Sequence, residues 1–107
     1  YNLYLEDILE AIDRAQEYTE NLYFEKFKND SMAVDAVLRN LEIIGEAANQ
    51  VPEEIKKKHS KIPWRDIQDF RIVVAHKYWK INLERIWDII ENKLQDLREQ
   101  IEDLLKN

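Results

Sequence analysis

Residues 29–48 read NDSMAVDAVLRNLEIIGEAA, and this stretch decides the fold class. Apolar or small residues recur in it every three or four positions, which is the pattern of the buried face of an amphipathic helix. These residues are Val34, Val37, Leu38, Leu41, Ile44, Gly45 and Ala48. Asn29, Asp30 and Ser31 carry side-chain oxygens that can cap the start of the helix. Gly45 costs about 1 kcal/mol relative to Ala in an exposed helix interior, so it predicts a close approach by another helix.

Helical spacing continues on both sides of this stretch. A first amphipathic helix is predicted over about residues 2–23. Its inner face consists of Leu5, Ile8, Ile12, Ala15, Tyr18 and Leu22. Pro52 and Pro63 suit the first turn of a helix, where a missing N–H costs nothing. They predict a short helix over Pro52–His59 and a longer one that starts at Pro63. The longer helix would run through Trp64, Ile67, Phe70 and Val74 toward Tyr78.

A last helix is predicted to begin after Asn82, which has the side chain of an N-cap residue. Ile81 and Ile86 stand at the two positions of a hydrophobic staple. The inner face of this helix then runs for about six turns. It consists of Ile86, Ile90, Leu94, Leu97, Ile101 and Leu104. Because one Gly, two Pro and no alternating β-branched runs leave little from which to build a sheet, we predict an all-α fold. The expected architecture is one domain over residues 1–107, a bundle of four long helices and one short helix.

The composition excludes several kinds of protein. A chain of 107 residues suits a single domain. The absence of cysteine excludes disulfides, a thiolate nucleophile and cysteine-ligated metal sites. No apolar run approaches the roughly 20 residues of a membrane span, and no signal-peptide pattern opens the chain. We therefore expect a cytoplasmic protein that does not associate with a membrane.

Charge is unevenly distributed along the chain. The formal net charge of −6 by itself argues against a general nucleic-acid binder. Residues 56–85, however, contain nine Lys or Arg and three acidic residues, so their net charge is +6, against −12 for the remainder. This basic segment predicts a surface for a polyanion or an acidic partner. The residues concerned are Lys56–Lys61, with Lys57 and Lys58 foremost, Lys77 and Lys80. The alternative interpretation is a solvated turn whose charges only promote solubility.

Residues able to hold a metal ion are few. His59 and His76 lie 17 positions apart with no H-x-x-x-H or H-E-x-x-H pattern, so a histidine metal site is not predicted. Asp66 and Asp69 have the spacing to share a cation, although acidic residues near a helix N-terminus also stabilise the helix dipole. A single glycine leaves no Gly-rich phosphate loop. We expect no metal and no other cofactor.

The candidate active site is the segment FRIVVAHKYW at residues 70–79, in which polar side chains interrupt an apolar run. Arg71 and Tyr78 would lie about 20° apart on one face of a helix, whereas Arg71 and His76 would diverge by about 140°. Arg71 and His76 can act together only if the helix ends or distorts near His76, or if two chains contribute to one site. The alternative is a structural role: a buried His bonded to backbone, an Arg paired with an acid, and a Tyr in the core.

The segment matches a known motif. Arg71, His76 and Tyr78 form R-x4-H-x-Y, and on this motif the chain resembles the HepT-like branch of the HEPN superfamily. The flanking sequence resembles that branch too, in the same order and along nearly the whole chain. The similar segments are Asn40–Ala48, Pro63–Trp64 and Ile81–Trp87. The resemblance implies a HEPN-type helical bundle.

The resemblance also implies a function, the toxin of a prokaryotic type VII toxin–antitoxin system. The expected partner is a minimal nucleotidyltransferase antitoxin. HEPN toxins are typically metal-independent ribonucleases that act as homodimers, with the motifs of both subunits meeting in a shared cleft. In this branch the antitoxin can silence the toxin by transferring AMP from ATP onto the motif tyrosine, here Tyr78.

The residue types suit metal-free cleavage of RNA. A histidine, with an ordinary pKa of about 6.5, can accept the proton of the attacking 2′-hydroxyl or protonate the leaving 5′-oxygen, and this role falls to His76. The forked guanidinium of Arg71 can hold the phosphorane oxygens. Lysines of the basic segment would attract RNA to the cleft. The expected products carry 2′,3′-cyclic phosphates.

Ile72 departs from the family pattern, which often has Asn directly after the motif Arg. The departure favours an alternative function, a non-catalytic HEPN-like module that binds a nucleotidyltransferase and a nucleotide or RNA without cutting. A structural dimer that uses the apolar Ile72 and Val73 is compatible with either function.

Overall fold

The computed structural model describes residues 1–75 and 82–106, and these residues form seven helices and no strand. The helices are α1 (Asn2–Thr19), α2 (Phe24–Lys28), α3 (Ser31–Gln50), α4 (Glu53–Lys58), α5 (Trp64–Ala75), α6 (Leu83–Asn92) and α7 (Leu94–Lys106). The predicted all-α bundle is confirmed, although the predicted number of helices is not. None of the described helices is both long and apolar enough to cross a membrane.

α3 is the central helix and packs against both α1 and α5. It begins as predicted, because the Asp30 side chain accepts a hydrogen bond from the Ala33 backbone N at 3.0 Å. A Cβ atom on Gly45 would lie 2.8 Å from the backbone N of Arg71 and 3.2 Å from the carbonyl O of Ile67. α5 therefore crosses α3 at a distance that only glycine allows, which confirms the predicted close approach.

The first helix is shorter than predicted, ending at Thr19 instead of near residue 23. The Thr19 hydroxyl donates a hydrogen bond to the Ala15 carbonyl at 2.9 Å, a local bond that accompanies the end of the helix. Thr19 is buried, whereas Tyr18, which the periodicity placed on the inner face, is 45% exposed. The prediction for Tyr18 was wrong because the buried face of α1 passes from Ala15 to Thr19, four positions further on, and leaves Tyr18 outside it.

A short helix, α2, follows α1 and was not predicted from the sequence. α2 spans five residues, too few to show a helical period. Its Phe27 is fully buried, and the centroid of that ring lies 5.0 Å from the ring of Trp87 on α6. α2 therefore closes one end of the core through aromatic packing.

The middle of the chain follows the prediction closely. The short helix Glu53–Lys58 lies inside the predicted span, and Pro52 is its N-cap residue. Pro63 directly precedes α5, and its carbonyl accepts a hydrogen bond from the Ile67 backbone N at 3.1 Å. The predicted extension of α5 toward Tyr78 lies outside the described residues.

The predicted last helix is divided at Lys93 into α6 and α7. Lys93 remains hydrogen-bonded to the helices on both sides, so the division is a local distortion. Asn82 caps α6 as predicted, since its side chain accepts a hydrogen bond from the Arg85 backbone N at 3.1 Å. The inner-face residues Ile86, Ile90, Leu94, Leu97, Ile101 and Leu104 are all buried. Ile81, the other half of the predicted staple, lies outside the described part of the chain.

A charged cluster joins α7 to α1. The Arg98 Nε donates a hydrogen bond to Asp13 Oδ1 at 2.6 Å, and Arg98 also pairs with Glu102 one turn further along α7. The hydrogen bond with Asp13 raises the pKa of Arg98 above its usual value. This charged hydrogen bond links the first and last helices of the described chain.

Candidate active site

Arg71 projects from the second half of α5 into an open groove of about 450 Å³. The other walls of this groove, which we call the Arg71 groove, are formed by α1 and α3. The lining includes Tyr4 and Asp7 from α1, and Ile43, Glu46, Asn49 and Gln50 from α3. The first residue of the R-x4-H-x-Y motif therefore stands where three helices meet.

Two contacts set the position of Arg71. The absence of a side chain on Gly45 lets the Arg71 backbone approach α3, since a Cβ there would also lie 3.1 Å from the Cβ of Arg71. One turn earlier on α5, Gln68 Nε2 donates a hydrogen bond to Asn49 Oδ1 at 2.9 Å. Both contacts hold α5 against α3 within one turn of Arg71. The Arg71 side chain therefore extends from a helix whose position is fixed.

Arg71 has no ionic partner among the described residues. The side chain is half-buried, and among the described residues it makes no hydrogen bond and no ion pair. Asp7 and Glu46 line the same groove without pairing with a described residue. The alternative role for Arg71, a structural ion pair with an acidic residue, is therefore not seen among the described residues.

The rest of the motif and two predicted RNA-binding lysines fall outside the described residues. These are His76, Tyr78, Lys77 and Lys80. The predicted convergence of His76 with Arg71, within one chain or across two, stays a prediction.

The lysines of α4 are divided between surface and interior. Lys57 and Lys58 are exposed, as their predicted role requires. The side chain of Lys56 is only 7% exposed, and its Nζ lies 3.8 Å from a carboxylate oxygen of Glu53. Including Lys56 in the RNA-attracting surface was therefore wrong, because its burial keeps it from a large ligand.

The loop after α4 is held in place by two side chains. Trp64 Nε1 donates a hydrogen bond to the His59 carbonyl at 3.1 Å, and Gln100 Nε2 donates one to the Lys61 carbonyl at 3.3 Å. Trp64 itself is buried. The exposed Lys61 is therefore presented by an anchored loop.

Sequence reasoning missed the groove residues on α1 and α3. Tyr4 and Asp7 belong to no motif, and Glu46, although it lies within the family-like segment Asn40–Ala48, was not singled out as a site residue. All three are exposed positions on their own helices. They reach Arg71 only through the packing of helices that lie far apart in the sequence. No signal in a single sequence identifies them.

The described residues contain no group of three or more His, Asp or Glu side chains placed to hold a metal ion. Asp66 and Asp69, which the sequence offered as a cation-binding pair, thus have no third such ligand there. A divalent cation usually takes more protein ligands than two carboxylates supply unless a substrate completes its shell.

The fold and the Arg71 groove define a class of protein: an all-α bundle whose sequence carries an R-x4-H-x-Y motif, with the Arg of that motif on α5. The family model described as "Ribonuclease HepT-like" matches residues 8–104, and the chain belongs to this family. The resemblance inferred from the motif is confirmed, and the predicted enzyme class, ribonuclease, is that of the family.

Individual relatives agree with this membership. The chain is 38% identical to "Probable ribonuclease HepT" of Thermococcus cleftensis over 103 residues, which cover 96% of this chain and 94% of that protein. It is 37% identical over 103 residues to "Putative RNase TTE0752" of Caldanaerobacter subterraneus subsp. tengcongensis, with 96% and 92% covered. It is 36% identical over 104 residues to "Putative RNase MJ0127" of Methanocaldococcus jannaschii, with 97% and 86% covered. No solved structure matches the chain.

Proposed function

We propose that this chain is the toxin of a toxin–antitoxin pair and acts as a metal-independent endoribonuclease, with Arg71 and His76 as its catalytic residues. The observation that supports this most is the environment of Arg71. A half-buried guanidinium with no described ion pair faces an open groove, and it is the first residue of the motif. A structural Arg would instead be paired, because burying an unpaired charge is costly.

The proposed reaction needs only protein groups. The 2′-oxygen of RNA forms a bond with the adjacent phosphorus as its proton passes to a His76 imidazole. The bond from phosphorus to the 5′-oxygen breaks, and an imidazolium protonates that oxygen. Arg71 neutralises the charge that accumulates on the phosphorane. In a homodimer the two copies of His76 would supply the base and the acid. A site shared by two chains also removes the need for Arg71 and His76 of one chain to lie on the same face of a helix.

We attribute regulation of the enzyme to Tyr78. A minimal nucleotidyltransferase partner would direct the Tyr78 oxygen onto the α-phosphorus of ATP, forming a Tyr–AMP phosphodiester and releasing pyrophosphate. The new group adds bulk and negative charge close in sequence to Arg71 and His76. RNA phosphate would then be repelled from the site.

RNA would be attracted to this site by lysines of the basic segment. Lys57 and Lys58 at the end of α4 would attract the phosphate backbone, with Lys77 and Lys80 nearer the motif. The acidic remainder of the chain limits binding elsewhere on its surface. Cleavage should therefore slow as the salt concentration rises.

The test is cleavage of a labelled RNA by purified protein in the presence of EDTA. We expect Arg71→Ala and His76→Ala each to lower kcat/KM by roughly 100-fold or more. Arg39→Ala is the matched control, because Arg39 is exposed and paired with Glu42 on α3, away from the groove. Products should end in 2′,3′-cyclic phosphate. Full activity of a folded His76→Ala protein, or loss of wild-type activity in EDTA, would contradict the proposal.

The regulatory part has its own test. Incubation with the nucleotidyltransferase and ATP should add AMP to wild-type protein and abolish its cleavage of RNA. Tyr78→Phe should neither accept AMP nor lose activity. If Tyr78→Phe still acquires AMP, the modified residue is a different one.

One observation favours the non-catalytic alternative. Ile72 stands where the family often has Asn, and its side chain is 45% exposed beside Arg71. An apolar side chain there cannot hydrogen-bond a nucleotide. Binding of RNA and partner with no cleavage by the wild-type protein would establish this alternative.

A further inference from the structure

The Arg71 groove continues along the surface between α1 and α3. A second depression of about 260 Å³ shares Asp7 and Ile43 with it and reaches Asn40 and Arg14. Because the two depressions share lining residues from both helices, they form one extended groove. Arg71 stands at one end of this groove and Asn40 at the other.

Asn40 is a buried polar residue with an incomplete set of hydrogen bonds among the described residues. It is only 5% exposed, and its Nδ2 donates a hydrogen bond to the Ala36 carbonyl at 2.8 Å. Its Oδ1 is buried and has no hydrogen-bond partner among the described residues. A buried acceptor without a partner costs free energy, so such an atom is a mark of a site that a ligand completes.

Two acidic side chains line the groove near Arg71. The carboxylates of Asp7 and Glu46 have no described partner, whereas the Asn40 Oδ1 is buried behind the surface of the groove. Asn49 has its Oδ1 occupied by Gln68, so its amide N–H groups are left to donate. The ring of Tyr4 is 39% exposed and offers a flat apolar surface at the same place.

These features select one class of ligand. The two carboxylates repel phosphate, so the RNA backbone cannot follow the groove beyond Arg71. A cationic side chain of a partner protein would be repelled by Arg71, which lines the same groove. An unpaired nucleobase suits the ring and the carboxylates, because its face stacks on an aromatic ring and its N–H edge donates to carboxylates.

The carboxylates distinguish among the bases. Guanine presents N1–H and N2–H side by side, so both can donate to one carboxylate, and its O6 can accept from an amide such as that of Asn49. Adenine and cytosine each present one exocyclic amino group, and uracil presents only N3–H. Resting on the proposed function, we propose that the α1–α3 groove is a nucleobase subsite that takes guanine next to the phosphate held by Arg71.

The test measures binding separately from cleavage. Fluorescent single-stranded tetranucleotides with 2′-O-methyl groups cannot be cleaved, and a set differing at one position by G, A, C, U or inosine isolates the base. We expect wild-type protein to bind the G oligonucleotide roughly tenfold more tightly than the U oligonucleotide. Inosine, which lacks the 2-amino group, should fall between them.

Matched variants assign the preference to the groove. Asp7→Asn and Glu46→Gln, both at exposed positions, should reduce the preference for guanine, whereas Glu6→Gln on the adjacent exposed position should leave it unchanged. Tyr4→Phe should bind like wild type, and Tyr4→Ala should weaken binding of every base.

Three outcomes would overturn the subsite. They are equal binding of all five oligonucleotides, no binding of any, and a guanine preference that survives both Asp7→Asn and Glu46→Gln. If these two variants weaken binding of a protein partner while RNA binding is unchanged, the groove is a protein interface. Cleavage without base preference would contradict only the subsite, and guanine binding without cleavage only the nuclease.

Discussion

The side of α3 that packs into the core differs sharply from the side that borders the groove. Ile44 and Gly45 lie on the first side, which we call the closed side; Ile44 is fully buried, and Gly45 touches the backbone of α5. Ile43 and Glu46 lie on the second, the groove side, and line the open space around Arg71. Adjacent residues of one helix thus serve opposite purposes, since the closed side fixes helix positions and the groove side leaves polar groups free for a ligand.

The largest expected difference between the two sides is in packing. Ile44→Ala should lower the free energy of unfolding by about 2–5 kcal/mol, because it leaves a cavity in the core. Ile43→Ala removes the same atoms from a half-buried side chain at a groove and should cost less, about 1–2 kcal/mol. Urea denaturation of both proteins measures the difference. Equal losses would show that the groove side is as tightly packed as the closed side.

The next effect concerns the contact between α3 and α5. Gly45→Ala should destabilise the protein by about 1–3 kcal/mol, because the added Cβ pushes against the backbone of Arg71. Helix propensity alone predicts the opposite, a gain of about 1 kcal/mol. Glu46→Ala, one residue further on at an exposed position, should change stability by no more than about 0.5 kcal/mol. A stabilised Gly45→Ala protein would mean that α5 can withdraw from α3 without loss.

A smaller effect is expected at Asn40, which is buried but borders the groove. Asn40→Leu removes the unpartnered Oδ1 together with one local hydrogen bond, so stability should change by less than about 1 kcal/mol in either direction. Binding of a guanine oligonucleotide should weaken in the same variant. Thermal denaturation combined with the binding assay separates the two effects. A loss of several kcal/mol would show that Asn40 serves the core and not the groove.

The smallest effect on stability is expected at Ile72. This residue follows Arg71, whose backbone contacts Gly45 on the closed side, but it is exposed to solvent. Ile72→Asn restores the residue that the family often has there and should alter stability by no more than about 0.5 kcal/mol. RNA cleavage should rise, because an amide can hydrogen-bond a nucleotide held by Arg71. Initial rates at matched protein concentration measure this. A fall in the rate would show that the apolar side chain is itself needed.

Predictions from the sequence held for the helices with strong periodicity and for their caps. Asp30 and Asn82 cap the helices that they were expected to start, because the capping bond is local and needs no distant partner. The errors fell at Thr19 and Lys93, where a helix ends or is disturbed within an otherwise suitable pattern. Tertiary packing decides where such a helix ends or breaks, and the spacing of apolar residues does not report those points.

The candidate site divides in the same way. Arg71, His76 and Tyr78 are visible in the sequence because they form a motif with fixed spacing, and the basic segment is visible because charge can be counted. The burial of Lys56 was not visible, since a Lys on a short helix is ordinarily exposed. Membership in the HepT-like ribonuclease family rests on the sequence as a whole.

The sequence by itself determined the all-α class, the buried faces of the main helices, the family and the position of the motif. Each of these depends on local spacing or on residue identity, which a single chain displays directly. Only the tertiary structure decided that Tyr4, Asp7 and Glu46 share a groove with Arg71. That arrangement depends on how closely α1, α3 and α5 pack. The contact at Gly45 sets the distance between α3 and α5. Residues dozens of positions apart become neighbours only through such packing, so the groove and the guanine subsite proposed in it follow from the fold.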